Sequence, residues 1–544
     1  MSSTTSMNSI PARAGPDTIF ARIRPSNDDA INHFHEIVDS MRCGFLQHQG
    51  NFIRIDDYQT QLGKAPGHSQ RWMNWSPAKN PELTRPVWTG EFILYLKPDP
   101  PIRRNKWRIG GVYDIDGHVQ ERGEAQSELL LWDKYESTEV HHEAELAFDR
   151  VSGILTIRGR CDSNPNCVIL DSDDTSSSTR LLNEHSHKLQ FGSCVYSFQY
   201  EFGEDSPHET YFQQDKVAFF ARRFGIGPPI FWTSATPTIS FPKIKNWVIH
   251  RNVSSGGSGV VRAASRSPPQ CAAVKTMVRR DAFEAVMISQ EIKTAVHIRA
   301  LLKNKPCPYI LRFIEEKYDR NQEKWDEKSP EQVHLIFTPL CNQTFYSLVK
   351  SSAAWPADRL SLLHNVIEGL KWLHSNDLVH RDIKLENLGV VFHPKVRAVI
   401  LDFGVVHHGT KNIDPGYGPV GTLDYLAPEA ESAFYDEKVD IWALGIVAFR
   451  MFISHDLPWM LGYHANPWKM ETLPTEQITS DVALVALMQR SATFSNTMTM
   501  IGTGNEGDVR GLICQMLTWN AHERPSAQDC SIHQCFRPRP NDEE

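Results

Sequence analysis

The sequence has no pair of cysteines at C-x-x-C spacing and no histidine cluster at zinc-ligand spacing. The common structural zinc motifs are therefore excluded. Its ten cysteines, at positions 43, 161, 167, 194, 271, 307, 341, 514, 530 and 535, are scattered. Cys161 and Cys167 are read as ordinary thiols, and a reducing compartment is expected. Long apolar runs are missing too. The longest, Trp442 to Ile453, is interrupted by Arg450 and is too short to cross a bilayer. The first twenty residues are rich in Ser and Thr and lack the continuous apolar segment of a secretory signal. No membrane partner is expected, and the reading places the chain in the cytoplasm or nucleus. A net charge of −8, spread along the sequence without a dense basic patch, points away from nucleic acid. No internal repeat is visible.

What is present is enough for several cores: 544 residues, of which 22% are charged. Residues 1–85 read as an extension whose first twenty residues are flexible. It holds one amphipathic helix from Ala30 to Leu46, with Ile31, Phe34, Ile37, Val38 and Met41 on its apolar stripe. Residues 86–205 change to short β-type runs, among them Phe92 to Leu96, Leu129 to Trp132, Ala144 to Phe148, Ile154 to Ile157, Val168 to Leu170, Leu189 to Phe191 and Tyr196 to Tyr200. Turn-rich segments separate them, and the pattern predicts an antiparallel β-sandwich. Residues 206–245, with repeated Gly and Pro, read as an irregular connector. Strand-like sequence resumes near Trp247 and gives way after about Arg280 to helical periodicity, which dominates from Ala357 to about 538. Residues 539–544 form a tail. The fold class expected is α+β and multidomain, with a small β-rich lobe followed by a large helical one.

The run His380-Arg381-Asp382-Ile383-Lys384-Leu385-Glu386-Asn387 is followed by Asp402-Phe403-Gly404 and then by Gly421-Thr422-Leu423-Asp424-Tyr425-Leu426-Ala427-Pro428-Glu429. Together these resemble the catalytic loop, metal-binding turn and activation-segment end of protein kinases over residues 246–538. The resemblance implies a bilobal fold, ATP and Mg2+ as cofactors, and a protein substrate. It implies Asp382 as base or orienter of the substrate hydroxyl, Lys384 as a neutraliser of phosphoryl charge, and Thr422 as a bond partner of both. The Lys384 and Thr422 pattern is that of serine/threonine kinases. Asn387 and Asp402 take the metal positions.

Upstream, Ser254-Ser255-Gly256-Gly257-Ser258-Gly259-Val260-Val261 resembles the glycine-rich loop, with Ser254 replacing its first glycine and Val261 packing on adenine. Ala272-Ala273-Val274-Lys275 resembles the next strand, placing Ala273 against the base and Lys275 toward the phosphates. The partner of Lys275 is Glu291 or, in an equally good alignment, His297. Phe337 takes the gatekeeper position, where core packing explains it equally well, and Leu340 lies where backbone meets adenine. The family also implies that Glu429 pairs with Arg524 and that Asp440 braces the catalytic loop. Thr410, Tyr417 and Tyr425 are acceptors for a phosphate that Arg381 could capture. The alternative reading is a pseudokinase scaffold, suggested by Ser254 and by the open choice at Lys275.

The strand sequences Trp107 to Gly111, Leu129 to Trp132, Ala144 to Phe148, Leu189 to Gly192 and Tyr196 to Phe198 resemble a forkhead-associated (FHA) domain. That family binds phosphothreonine through an arginine, a serine and a histidine. Here those positions hold Gly111, Val140 and Glu143. A site without its cation and with an added carboxylate repels phosphate. The implied role is an FHA-like protein-interaction module that has lost its phosphopeptide.

Overall fold

The computed structural model describes residues 19–42, 51–56, 61–63, 85–96, 100, 102, 105–111, 129–132, 144–150, 152–159, 168–171, 179–201, 207–224, 243–256, 259–319, 331–351, 355, 357–392, 394–414, 420–431, 434–460, 480–502 and 508–537. The chain divides into two compact units. One is Met1–Ser254 with Arg262–Cys271, and the other is Ser255–Val261 with Ala272–Glu544.

In the amino-terminal unit, strands form a six-stranded and a five-stranded sheet. Their inner side chains share one apolar core that includes Phe20, Phe92, Trp107, Leu129, Leu146 and Phe198. Among the described residues of this unit, pairing is antiparallel except where Trp107–Gly111 meets Leu129–Trp132, which run parallel. The strand segments expected from alternation lie at Gly90–Tyr95, Leu129–Trp132, Ala144–Phe148, Leu155–Gly159, Ile169–Leu170, Ser186–Phe191 and Cys194–Tyr200. A further strand, Ile19–Pro25, lies between Cys194–Tyr200 and Gly90–Tyr95. The stretch read as an extension thus supplies an interior strand.

Helix Asp28–Arg42 follows and buries Ala30, Phe34, Ile37, Val38 and Met41. Ile31, expected on that stripe, is only half-buried. Fully burying a side chain such as Phe34 is worth roughly 2 kcal/mol. Asn27 fixes where this helix starts: its Oδ1 accepts from the amides of Ala30 and Val195 at 3.1 and 2.9 Å.

The stretch expected as an irregular connector contains an 18-residue helix, Pro207–Phe224. Phe212, Phe219 and Phe220 on it join the apolar core.

A second six-stranded sheet runs in the order Lys243–Ile244, Trp247–Gly256, Gly259–Arg266, Gln270–Arg279, Glu331–Thr338 and Arg312–Tyr318. The helices Ala282–Asn304, Arg359–His374, Lys438–Phe452, Ser480–Gly502 and Val509–Met516 belong to the carboxyl-terminal unit. Helix Ala282–Asn304 begins at Asp281, whose carboxylate caps the Glu284 amide at 2.7 Å. Helix Lys438–Phe452 is buried almost all round, which accounts for the apolar run at Trp442. Among the described residues, no helix is long and apolar enough to cross a membrane.

Candidate active site

Strand Gln270–Arg279 alternates. Ala272 and Val274 are fully buried in the core, while Ala273 and Lys275 share the opposite face. Ala273 lies opposite Phe337, and Lys275 opposite Leu335, on the neighbouring strand. Lys275 Nζ bonds Glu291 Oε1 at 2.8 Å and Asp402 Oδ1 at 2.9 Å. Glu291, on helix Ala282–Asn304, is therefore the partner of Lys275. His297 instead sets its ring 5.1 Å from that of His408.

These three charges tune one another. Burial lowers the affinity of Lys275 for its proton, but the two carboxylates outweigh it and raise the pKa above its ordinary value. Burial opposes ionisation of Asp402, yet Lys275 wins and holds it below the ordinary range. Glu291 is pushed up, by burial first and also by the Asp402 charge.

Gly259 follows the two residues of the glycine-rich run, Gly257 and Ser258, that lie outside the described residues. Its φ is +128°, and a Cβ there would run into the Thr276 carbonyl. Glycine is required at that point by conformation and by space. Gly256 ends the preceding strand and Val261 continues the next one. Phe337 is buried with its ring 5.5 Å from that of Phe313, so it packs in the core, and Leu340 is buried as well.

The catalytic-loop segment is held from beneath. Asp440, 1% exposed, accepts from the amides of His380 and Arg381 at 2.8 Å each and pairs with His374 Nε2 at 2.9 Å. Burial pushes this carboxyl up, but the bond and charge of His374 prevail and hold it below its ordinary value. His380 Nδ1 accepts from the Asp382 amide, so Nε2–H donates to the Leu401 carbonyl at 2.9 Å. Arg381 takes a left-handed φ of +67°, and the Cβ-free Gly421 lies against its carbonyl.

On this frame Thr422 Oγ1 donates to Asp382 Oδ1 at 2.7 Å and accepts from Lys384 Nζ at 2.8 Å. Lys384 Nζ also lies 2.7 Å from Asp382 Oδ2. Asn387 Nδ2 donates to the Asp382 carbonyl and to its Oδ2, both at 2.9 Å. Each side chain's orientation thus follows from a bond to Asp382. The arrangement presents a carboxylate, an ammonium and a hydroxyl in contact, next to a turn carrying Asp402.

Further along, Glu429 and Arg524 form a two-pronged ion pair at 2.6 and 3.1 Å, with Arg524 buried against Trp442. Arg381 is bonded to the Val405 carbonyl at 2.7 Å, Tyr417 lies outside the described residues, and Tyr425 is buried with its hydroxyl held by Arg450 at 2.8 Å. Of the three acceptors, Thr410 is the one described with a partly accessible position. The clamp of Arg450 on Asp424 and Tyr425 went unread in the sequence. A lone arginine inside an apolar run was its one visible sign.

Residues 247–536 match the family described as protein kinase domain. Among curated proteins, the chain is 28% identical over 180 residues to an Aurora kinase of Yarrowia lipolytica, covering 33% of this chain and 44% of that one. It is 23% identical over 266 residues to an Aurora kinase of Eremothecium gossypii, covering 48% and 60%. It is 32% identical over 121 residues to a dual serine/threonine and tyrosine protein kinase of Apis mellifera, covering 22% and 12%. Alignment thus spans at most 60% of the length of these relatives.

Proposed function

The chain belongs to the protein kinase family, and from that premise we propose that it is an active serine/threonine kinase that moves the γ-phosphoryl group of ATP to protein hydroxyls. The observation that carries this reading is the closed set of bonds among Asp382, Thr422 and Lys384. Phosphoryl transfer demands positioning and charge neutralisation more than covalent help. Asp382 orients the incoming hydroxyl and takes its proton on a carboxylate oxygen. Lys384 offsets charge on the moving group. Lys275 reaches the α- and β-phosphates, and the glycine hairpin covers them.

The donor set fits magnesium. Asn387 spends its amide N–H on Asp382, which turns its carbonyl oxygen outward, and Asp402 engages Lys275 and the Gly404 amide through Oδ1. Oδ2 of Asp402 and Oδ1 of Asn387 are hard oxygens of the kind Mg2+ selects. When bound, the ion neutralises and orients the phosphates.

The serine/threonine preference rests on the Lys384 and Thr422 pair. The two-sheet core of the amino-terminal unit supports an FHA-like β-sandwich used as a protein-interaction module. Gly111 ends a strand there, while Val140 and Glu143 lie outside the described residues. Substrates are proteins, neither nucleic acid nor membrane is engaged, and the site of action is the cytoplasm or nucleus.

Radiolabelled ATP offered with a peptide library containing Ser, Thr and Tyr acceptors tests the reading. Label should enter Ser and Thr peptides, and Asp382→Asn or Asp402→Ala should reduce transfer by about 100-fold or more. Equal transfer by all three proteins would refute the enzyme, and label mainly on Tyr would refute the preference.

A further inference from the structure

Arg450 stands near the end of helix Lys438–Phe452, ten residues after Asp440. That is about 15 Å along the helix axis. At one level Asp440 holds the amides that begin the catalytic loop, and at the other Arg450 holds the turn that follows Thr422. Arg450 Nη1 donates to the Tyr425 hydroxyl and Nη2 to Asp424 Oδ2, both at 2.8 Å, and the guanidinium lies 4.9 Å from the centre of the Tyr425 ring. The side chain of Arg450 is 14% exposed and that of Asp424 47%. An ion pair exposed at both ends would contribute little, but here the arginine and its tyrosine arm are inside.

Tyr425 carries that hold to the catalytic residues. Burial pushes its hydroxyl up to about 12, so it stays protonated. The hydroxyl oxygen also receives the Leu385 amide, a longer bond at 3.5 Å. Leu385 follows Lys384 directly in the catalytic loop. Leu423–Tyr425 form a single tight turn that starts at Thr422, closed by the Tyr425 amide on the Thr422 carbonyl at 2.9 Å. Turn and loop are thus joined twice: once through Lys384 Nζ and Thr422 Oγ1, and again through Leu385 and the Tyr425 hydroxyl that Arg450 holds. Thr422 and Tyr425 also line a recess beside Asp382, with Leu426 and Ala427. Lys275, Glu291 and Asp402 belong to a different set of bonds.

We propose that Arg450 is a positioning residue for the protein acceptor: by holding Asp424 and Tyr425 it sets the turn against which the incoming peptide lies, and it leaves the nucleotide side untouched. The proposal rests on the kinase reading. Arg450 also bears on which peptides fit. It matches the charge of Asp424, which is half exposed on the turn. Without Arg450, an unmatched carboxylate beside the acceptor favours basic peptides.

The test uses the full-length protein, initial rates of peptide-library phosphorylation with ATP and peptide varied independently, and a fluorescent ATP analogue with magnesium for nucleotide binding. Arg450→Met should raise KM for peptide by about tenfold, keep nucleotide affinity within about twofold, and shift selection toward acceptors flanked by Lys or Arg. Arg450→Lys, which keeps the charge but only one arm, should fall between the two proteins. Tyr425→Phe keeps the buried ring and removes the hydroxyl alone. It should raise peptide KM by about threefold, and by less when Arg450 is already Met. If Arg450→Met fails to fold, Tyr425→Phe decides: a rise in peptide KM alone supports the proposal, and unchanged peptide KM overturns it. Nucleotide affinity that falls as far as peptide affinity in a folded variant overturns it too, and the kinase reading survives both results. Absence of phosphotransfer by the unaltered protein overturns the kinase reading and this inference with it.

Discussion

Lys216 of the amino-terminal unit carries deep charge differently from the site of the carboxyl-terminal unit, and differently from Glu91 of its own unit, 2% exposed, which is paired with Arg22 and Arg24. In the carboxyl-terminal unit Lys275 has Glu291 and Asp402, Asp440 has His374 and two loop amides, and Arg524 has Glu429. In the amino-terminal unit Lys216 is 5% exposed, and among the described residues its partner is the face of Phe148, 5.5 Å from ring centroid to Nζ. Burial alone lowers this amine to about 7. The paired charges are fixed in direction and place a site, whereas Lys216 only adds a cost that the aromatic core around its helix offsets. Bonding fixes where a buried charge points, and burial alone does not.

The largest break in this contrast should come at Asp440. Asp440→Ala leaves the His380 and Arg381 amides without an acceptor. It should destabilise the carboxyl-terminal unit by about 3 to 5 kcal/mol and cut phosphotransfer by about 100-fold through misplacement of Asp382. Urea unfolding and initial rates check both. The pH dependence follows in sign. The folded pKa of Asp440 lies below its ordinary 3.8, so the unfolded chain binds more protons in that interval. The contribution is complete above that ordinary value and is lost as pH falls through the folded one. Asp440→Asn should flatten the acid limb of the stability profile.

The opposite sign is expected at Lys216. Lys216→Met should stabilise the amino-terminal unit by about 2 kcal/mol at neutral pH, with peptide phosphorylation unchanged. In the unaltered protein the unfolded chain holds a proton up to its ordinary 10.5 while the folded chain gives it up near 7, so stability rises with pH between those values. The substitution should remove that rise, which thermal melts across the interval would reveal. The smallest effect sharpens the comparison from outside. Arg280 and Glu284 form an exposed pair at 2.9 Å, and Arg280→Ala should change stability by less than about 0.5 kcal/mol in the same unfolding measurement.

Lys216 also explains what the sequence hid. Phe212, Lys216, Phe219 and Phe220 share a helical face, but a lysine in mid-stripe interrupts the apolar period, and the segment reads as a connector. Strand Ile19–Pro25 was equally hidden, because its partners lie far along the chain and no local pattern announces them. By contrast the catalytic loop, the Asp402 turn and Thr422 were legible, since phosphotransfer chemistry ties residue types to fixed spacing. Glu291 needed the structure. Sixteen residues separate it from Lys275, and spacing alone cannot say where a strand hands over to a helix.

The interior position of Ile19–Pro25 has a consequence for how the molecule is made. Ala21 pairs with Tyr200 and Pro25 with Tyr196, so its ladder closes only when about 170 to 180 further residues have been synthesised. At ribosomal speeds that is a wait of roughly 9 to 35 s. Until then Ile19, Phe20 and Ile23 lack one of their two neighbouring strands, although the other, Gly90–Tyr95, follows them by only about 70 residues. Birth order and fold order therefore run counter to each other in this unit, and an apolar strand edge stays unpaired on the nascent chain until the last strand emerges.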